Sequence, residues 1–86
     1  MKSLNTSIYF YPINIEPCEE GGYFAECNLL QGCHAEGETY GEAIDNIHNV
    51  IKEHIELHKE NNEWLPSIKT KNKFNINIQL PIAMKK

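Results

Sequence analysis

Arginine is missing from all 86 residues. Its planar fork is the group that most often reads guanine edges or grips phosphate bidentately, so sequence reading on DNA by that route is not expected. The cysteines, Cys18, Cys27 and Cys33, are odd in number and lack CxxC spacing. That excludes a disulfide framework and fits reduced thiols in a cytosol. Cys27 and Cys33 fall within strand patterns and are expected to be small apolar fillers. Nowhere do 18 apolar residues follow one another, and the first residues alternate polar and apolar as far as Pro12. Neither a membrane span nor a signal peptide is expected, which makes the cytoplasm the expected location.

Acids are absent from the last twenty residues, where Lys69, Lys71, Lys73, Lys85 and Lys86 stand unopposed. All twelve carboxylates lie in residues 1–66 against Lys2, Lys52 and Lys59, so that body carries a formal −9 within a net −4. An acidic body repels nucleic acid and suits a basic protein partner; the plainer alternative is a set of solvated carboxylates that keep a small protein soluble. Apolar content of 41% and charged content of 23% are ordinary for a globular chain, which argues against wholesale disorder. The length supports one domain, residues 1–86, with a core at about 8–80 and a short basic tail. So short a chain buries only about 60–65% of its unfolded surface, and assembly would add stability.

Ser7 to Glu16 alternates as a strand, with Tyr9, Tyr11, Ile13 and Ile15 on one face, although Pro12 cannot donate to a ladder. Gly21-Gly22 marks a tight turn. Tyr23 to Cys27 and Cys33 to Glu38 form the next strands, joined by the loop Asn28 to Gly32. Thr39-Tyr40-Gly41-Glu42 fits a capping box. Behind it Tyr40, Ala43, Ile44, Ile47, Val50, Ile51, Ile55 and His58 recur at helical spacing, with Glu42, Asp45, Asn46, Asn49, Lys52, Glu53, Glu56, Lys59 and Glu60 opposite. Asn61-Asn62 and Pro66 end the helix. Lys73 to Leu80 alternates again and predicts a last strand, lying parallel beside the first. The expected fold is α+β in the order β-β-β-α-β, one helix covering one sheet face and the other face left free for self-association or a partner.

Catalytic patterns are thin. His54 and His58 share a helix face at i, i+4, but Glu56 does not follow the first histidine as in the zinc proteases, so no metal is expected. Cys33 and His34 are strand neighbours pointing to opposite faces, which spoils them as a nucleophile and base. A two-metal nuclease needs carboxylates on strands as well as helix; here the first strand offers Asn14 with Glu16 at its end, and the last offers Asn75 and Asn77. Neither a cofactor nor an enzymatic activity is expected, with residual nuclease action as a remote third reading.

Taken together, Tyr11-Pro12-Ile13-Asn14-Ile15-Glu16-Pro17, Glu19-Glu20-Gly21-Gly22-Tyr23-Phe24-Ala25-Glu26, Leu30-Gln31-Gly32-Cys33-His34-Ala35-Glu36-Gly37-Glu38-Thr39 and Glu42-Ala43 resemble the HicB antitoxin family. The likeness runs from about Tyr11 to Pro66, and its specificity lies in the combination. It implies a degenerate, partial ribonuclease-H-like sheet and neutralisation of HicA, a small basic mRNA-cleaving toxin. It also implies dimers or higher oligomers. Many such proteins add a C-terminal helix-turn-helix or ribbon-helix-helix; here the chain stops six residues after the last strand pattern, so promoter binding by this chain alone is not expected. Phe74 to Leu80 is read as the fourth strand of the body, or else as a self-association ribbon. A further departure is Asn28-Leu29-Leu30-Gln31, where the family often has a proline-bearing loop.

The first functional expectation is thus an antitoxin covering its toxin's RNA-binding surface with negative charge, through Glu36, Glu38, Glu42, Asp45 and Glu53. The alternative is a solitary HicB-like scaffold or ligand-binding module without a toxin.

Overall fold

A computed structural model describes residues 9–66 and 77–85. Three strands, β1 (Asn14–Pro17), β2 (Tyr23–Glu26) and β3 (His34–Gly37), precede one helix, α1 (Tyr40–Glu60). The strands form an antiparallel sheet in the order β1-β2-β3, and the α+β arrangement expected from the sequence is present.

The β1–β2 connection closes tightly because Gly21 and Gly22 take φ of 104° and 80°, a region that side chains disfavour. The Cys18 N–H donates to the Gly22 carbonyl at 2.9 Å and the Gly21 N–H to the Cys18 carbonyl at 3.0 Å. Register then follows: Asn14 faces Glu26 and His34, Ile15 faces Ala25 and Ala35, and Glu16 faces Phe24 and Glu36. The β2–β3 loop folds inward. Cys27 and Cys33 bond across its neck at 3.0 Å, and Leu30 is tied to both through its N–H and carbonyl, which drops its side chain into the core.

Thr39 caps α1: its Oγ1 accepts from the Glu42 N–H at 3.1 Å. The Glu42 carboxylate accepts from the Glu38 N–H at 2.7 Å, one residue beyond the reciprocal bond of a standard capping box. At the other end Asn62 is left-handed, φ 54°. The Glu63 N–H reaches the His58 carbonyl at 2.8 Å and the Asn62 N–H the Lys59 carbonyl at 3.2 Å. This is a Schellman ending with asparagine in glycine's usual place.

The core is small and made of small side chains: Ala25, Cys27, Leu30, Cys33, Ala43 and Ile47, flanked by Tyr11, Ile13, Ile15, Tyr23, Ala35, Val50 and Ile51. Both interior cysteines act as apolar fillers, as expected. Helix and sheet approach closely because Gly37 has no side chain; a Cβ there would lie 2.8 Å from the Ala43 Cα and collide with its N–H. Tyr23 and Tyr40 meet edge to face, centroids 5.8 Å apart, and pin the hairpin to the helix start.

Three departures from the sequence expectation have physical causes. β1 begins at Asn14 instead of Ser7, and residues 7 and 8 lie outside the described set; Pro12 withholds a ladder N–H just upstream. Asn46, expected on the solvent face, is half-buried and its Nδ2 donates to the Glu36 carbonyl at 2.7 Å, so helix spacing alone misplaced it. The expected last strand falls partly on residues 73–76, outside the described set. Asn77 to Leu80 carries no strand, with Ile78 and Leu80 67% and 65% exposed. Alternation marks a segment able to pair, but a strand also needs an edge bonded to it. The described elements reach three strands and one helix, and do not extend to the ribonuclease-H-like sheet. No helix among the described residues is long and apolar enough to cross a membrane.

Candidate functional site: an acidic surface at the hairpin end

The sequence-derived acids divide into two groups. Glu36 is the third residue of β3, Glu38 precedes the cap, and Glu42 sits in the first turn of α1. All three line one open depression of about 610 Å³ at the hairpin end of the sheet, with Cys18, Glu20, Gly21, Gly22, Tyr23 and Gly37. None of its described lining residues is basic. Asp45 and Glu53 are exposed along α1 but do not line it. Sequence reasoning missed Glu20 at this site. The strand register explains its place: Pro17 opposes Tyr23 and Tyr23 opposes Gly37, so the Gly21-Gly22 turn ends beside Glu38.

The cap holds one of these carboxylates. Glu42 spends one oxygen on the Glu38 N–H, at the positive end of the helix dipole, where negative charge is favoured. Glu36 is exposed while its carbonyl is fixed by Asn46. The surface thus combines one backbone-anchored carboxylate, Glu42, with the exposed Glu20, Glu36 and Glu38.

The other chemistry considered from the sequence is dispersed by the fold. Burial, and secondly Cys27, pushes the Cys33 thiol up, away from the thiolate that attacks; His34 is exposed and stacks on Phe24, centroids 5.7 Å apart. Glu16 lies on the sheet face turned away from α1, remote in orientation from Glu42 and Asp45. His58 is occupied at the helix end, its Nδ1 donating to the Trp64 carbonyl at 3.2 Å with a Glu63 carboxylate oxygen at 3.7 Å. Among the described residues no three His, Cys, Asp or Glu side chains cluster to hold a metal. A second hollow, about 760 Å³, is lined by Tyr11 to Pro17, Tyr23, Tyr40, Ile44 and Asn77 to Pro81. The C-terminal segment therefore lies beside β1, where a fourth strand was expected.

The described residues form a three-stranded α+β module with one covering helix and an acidic depression at its hairpin end. Residues 11–81 match the family model described as "HicB_like antitoxin of bacterial toxin-antitoxin system", and the chain belongs to this family. The match passes Pro66 and takes in the segment beside β1. Among similar proteins, UPF0150 protein ssr1765 of Synechocystis sp. is 47% identical over 49 residues, 57% of this chain and 62% of that protein. UPF0150 protein ssl0259 of the same organism is 43% identical over 58 residues, covering 67% and 80% of the two chains. Antitoxin HicB 1 of Photorhabdus laumondii subsp. laumondii is 34% identical over 56 residues, 65% of this chain but 36% of that protein. The chain thus spans under two thirds of the first of these relatives and about a third of the last.

Proposed function

We propose that this chain is the antitoxin of a toxin–antitoxin pair, neutralising a HicA-type, basic, mRNA-cleaving toxin by direct contact and without catalysis of its own. Membership of the HicB-like antitoxin family carries the reading. The acidic depression supports it physically: Glu20, Glu36, Glu38 and Glu42 occupy one open surface, and Asp45 and Glu53 extend negative charge along α1. Such a surface competes with RNA phosphates for the lysines and arginines of an RNA-binding protein. Action is in the cytoplasm, and the chain works as a dimer or higher oligomer. Co-expression with a HicA-type toxin tests this. The chain should restore growth and mRNA integrity and co-purify with the toxin; unrelieved toxicity across a panel of such toxins would sink the reading.

The second reading is a self-associating HicB-like scaffold with no toxin. It is favoured by the exposed apolar side chains Trp64, Ile78, Leu80, Ile82 and Met84. Sedimentation of the purified chain, with and without toxin, separates the two: a stable homo-oligomer indifferent to toxin supports the scaffold.

A further inference from the structure

We propose that the sheet face turned away from α1 is a receptor for one cationic side chain, preferentially an arginine, presented by a basic protein. The inference rests on the antitoxin reading for the partner's identity, and on the sheet register for its chemistry.

Ile15, Ala25 and Ala35 oppose one another across the three strands and pack in or against the core. Their neighbours in sequence must point the other way. One row on that outer face is Glu16–Phe24–Glu36 and the next is Asn14–Glu26–His34. Directly opposed side chains stand about 4.5–5.5 Å apart at Cβ, so the Phe24 ring has a carboxylate on each side and a third, Glu26, beside it in sequence. Phe24 is half-buried and stacked on His34 at an interplanar angle of 28°, which holds it in place. Glu16 and Glu36 are exposed. The lysines among residues 9–66, Lys52 and Lys59, are on α1, which packs on the opposite face.

A cation over this ring meets the negative face of the π-system and two or three carboxylates at once. Arginine fits better than lysine because its plane stacks on the ring while its fork reaches a carboxylate. Glu36 also lines the depression at the hairpin end, so the face is continuous with the acidic surface already described. Nucleic acid is repelled by the same charges. A second copy of this chain has no arginine to offer.

The test uses the full chain, isotope-labelled for NMR, and an N-acetylated nine-residue peptide of alternating glycine and arginine, with lysine and citrulline counterparts. The arginine peptide should shift the amides of Glu16, Phe24 and Glu36, bind more tightly than the lysine peptide, and lose binding as citrulline. F24L should weaken it about three- to fivefold, and E16Q with E36Q, which preserves shape, about fivefold. E56Q with E60Q on α1 should change it less than twofold. Equal losses from the α1 variant, an unaltered F24L, or Phe24-dependent self-association without peptide would each overturn the proposal. If the wild-type chain and F24L neutralise a HicA-type toxin equally well, this inference fails while the antitoxin reading stands. If no toxin is neutralised yet the peptide results hold, the receptor stands and the antitoxin reading fails.

Discussion

The two faces of the sheet are built from alternate residues of the same strands and follow opposite rules. Toward α1 they present Ile15, Ala25 and Ala35, with Gly37 at the end of β3, where a Cβ would meet the Ala43 backbone. Away from α1 they present the exposed Glu16, His34 and Glu36 and the half-buried Phe24 and Glu26. The difference teaches that close packing sets one face and recognition chemistry the other. Substitutions on the first should cost stability, and those on the second should cost binding.

The largest effect is expected inside. Ile47 is the bulkiest fully buried side chain, and Ile47→Ala should lower stability by about 3 kcal/mol, enough to leave a chain of this size partly unfolded in a urea titration. Gly37→Ala comes next. Its methyl meets the Ala43 backbone, and overpacking against backbone should cost about 2 kcal/mol, a fall in melting temperature of about 8–16 °C. Thr39→Ala removes the helix cap and should cost about 1 kcal/mol by the same calorimetric measure. A fall as large on neutralising Glu16 and Glu36 would break the contrast between the faces.

Titration adds a subtler difference. Cys33 and Tyr11 both have pKa values raised in the folded chain, chiefly by burial. Each is therefore better accommodated protonated. Their contribution is intact below the unfolded-state values, near 8.5 for a thiol and 10 for a phenol, and is lost as pH rises through the folded ones. Stability should decline as pH rises above about 8, and less steeply in Cys33→Ala when each chain is compared with its own value at pH 7. Thiol labelling sharpens this. Exposed Cys18 should react at once, and buried Cys27 and Cys33 only as the chain opens; three fast thiols would show that the loop neck does not hold.

Much of this was legible in the chain. The helix was fixed by signals that act locally: Thr39 at its start, Asn61-Asn62 at its end, and a stripe through Ala43 and Ile47 between them. The turn at Gly21-Gly22 was equally plain, since few residues tolerate those backbone angles. Glu20's place was less plain, because it depends on which strand residues oppose one another across the sheet. Asn46 was misread because its partner, the Glu36 carbonyl, lies ten residues away and periodicity carries no such information. For Asn77 to Leu80 the alternation was real, but pairing is a property of the edge as much as of the segment.

The most direct test of the antitoxin account is the dissociation constant for a HicA-type toxin, measured for the wild-type chain and for a variant with Glu20, Glu36, Glu38 and Glu42 changed to glutamine. The account predicts sub-micromolar binding by the wild type and at least tenfold weaker binding by the variant, with the helix still formed by circular dichroism. Absence of wild-type binding, or equal affinity in the two chains, would contradict it.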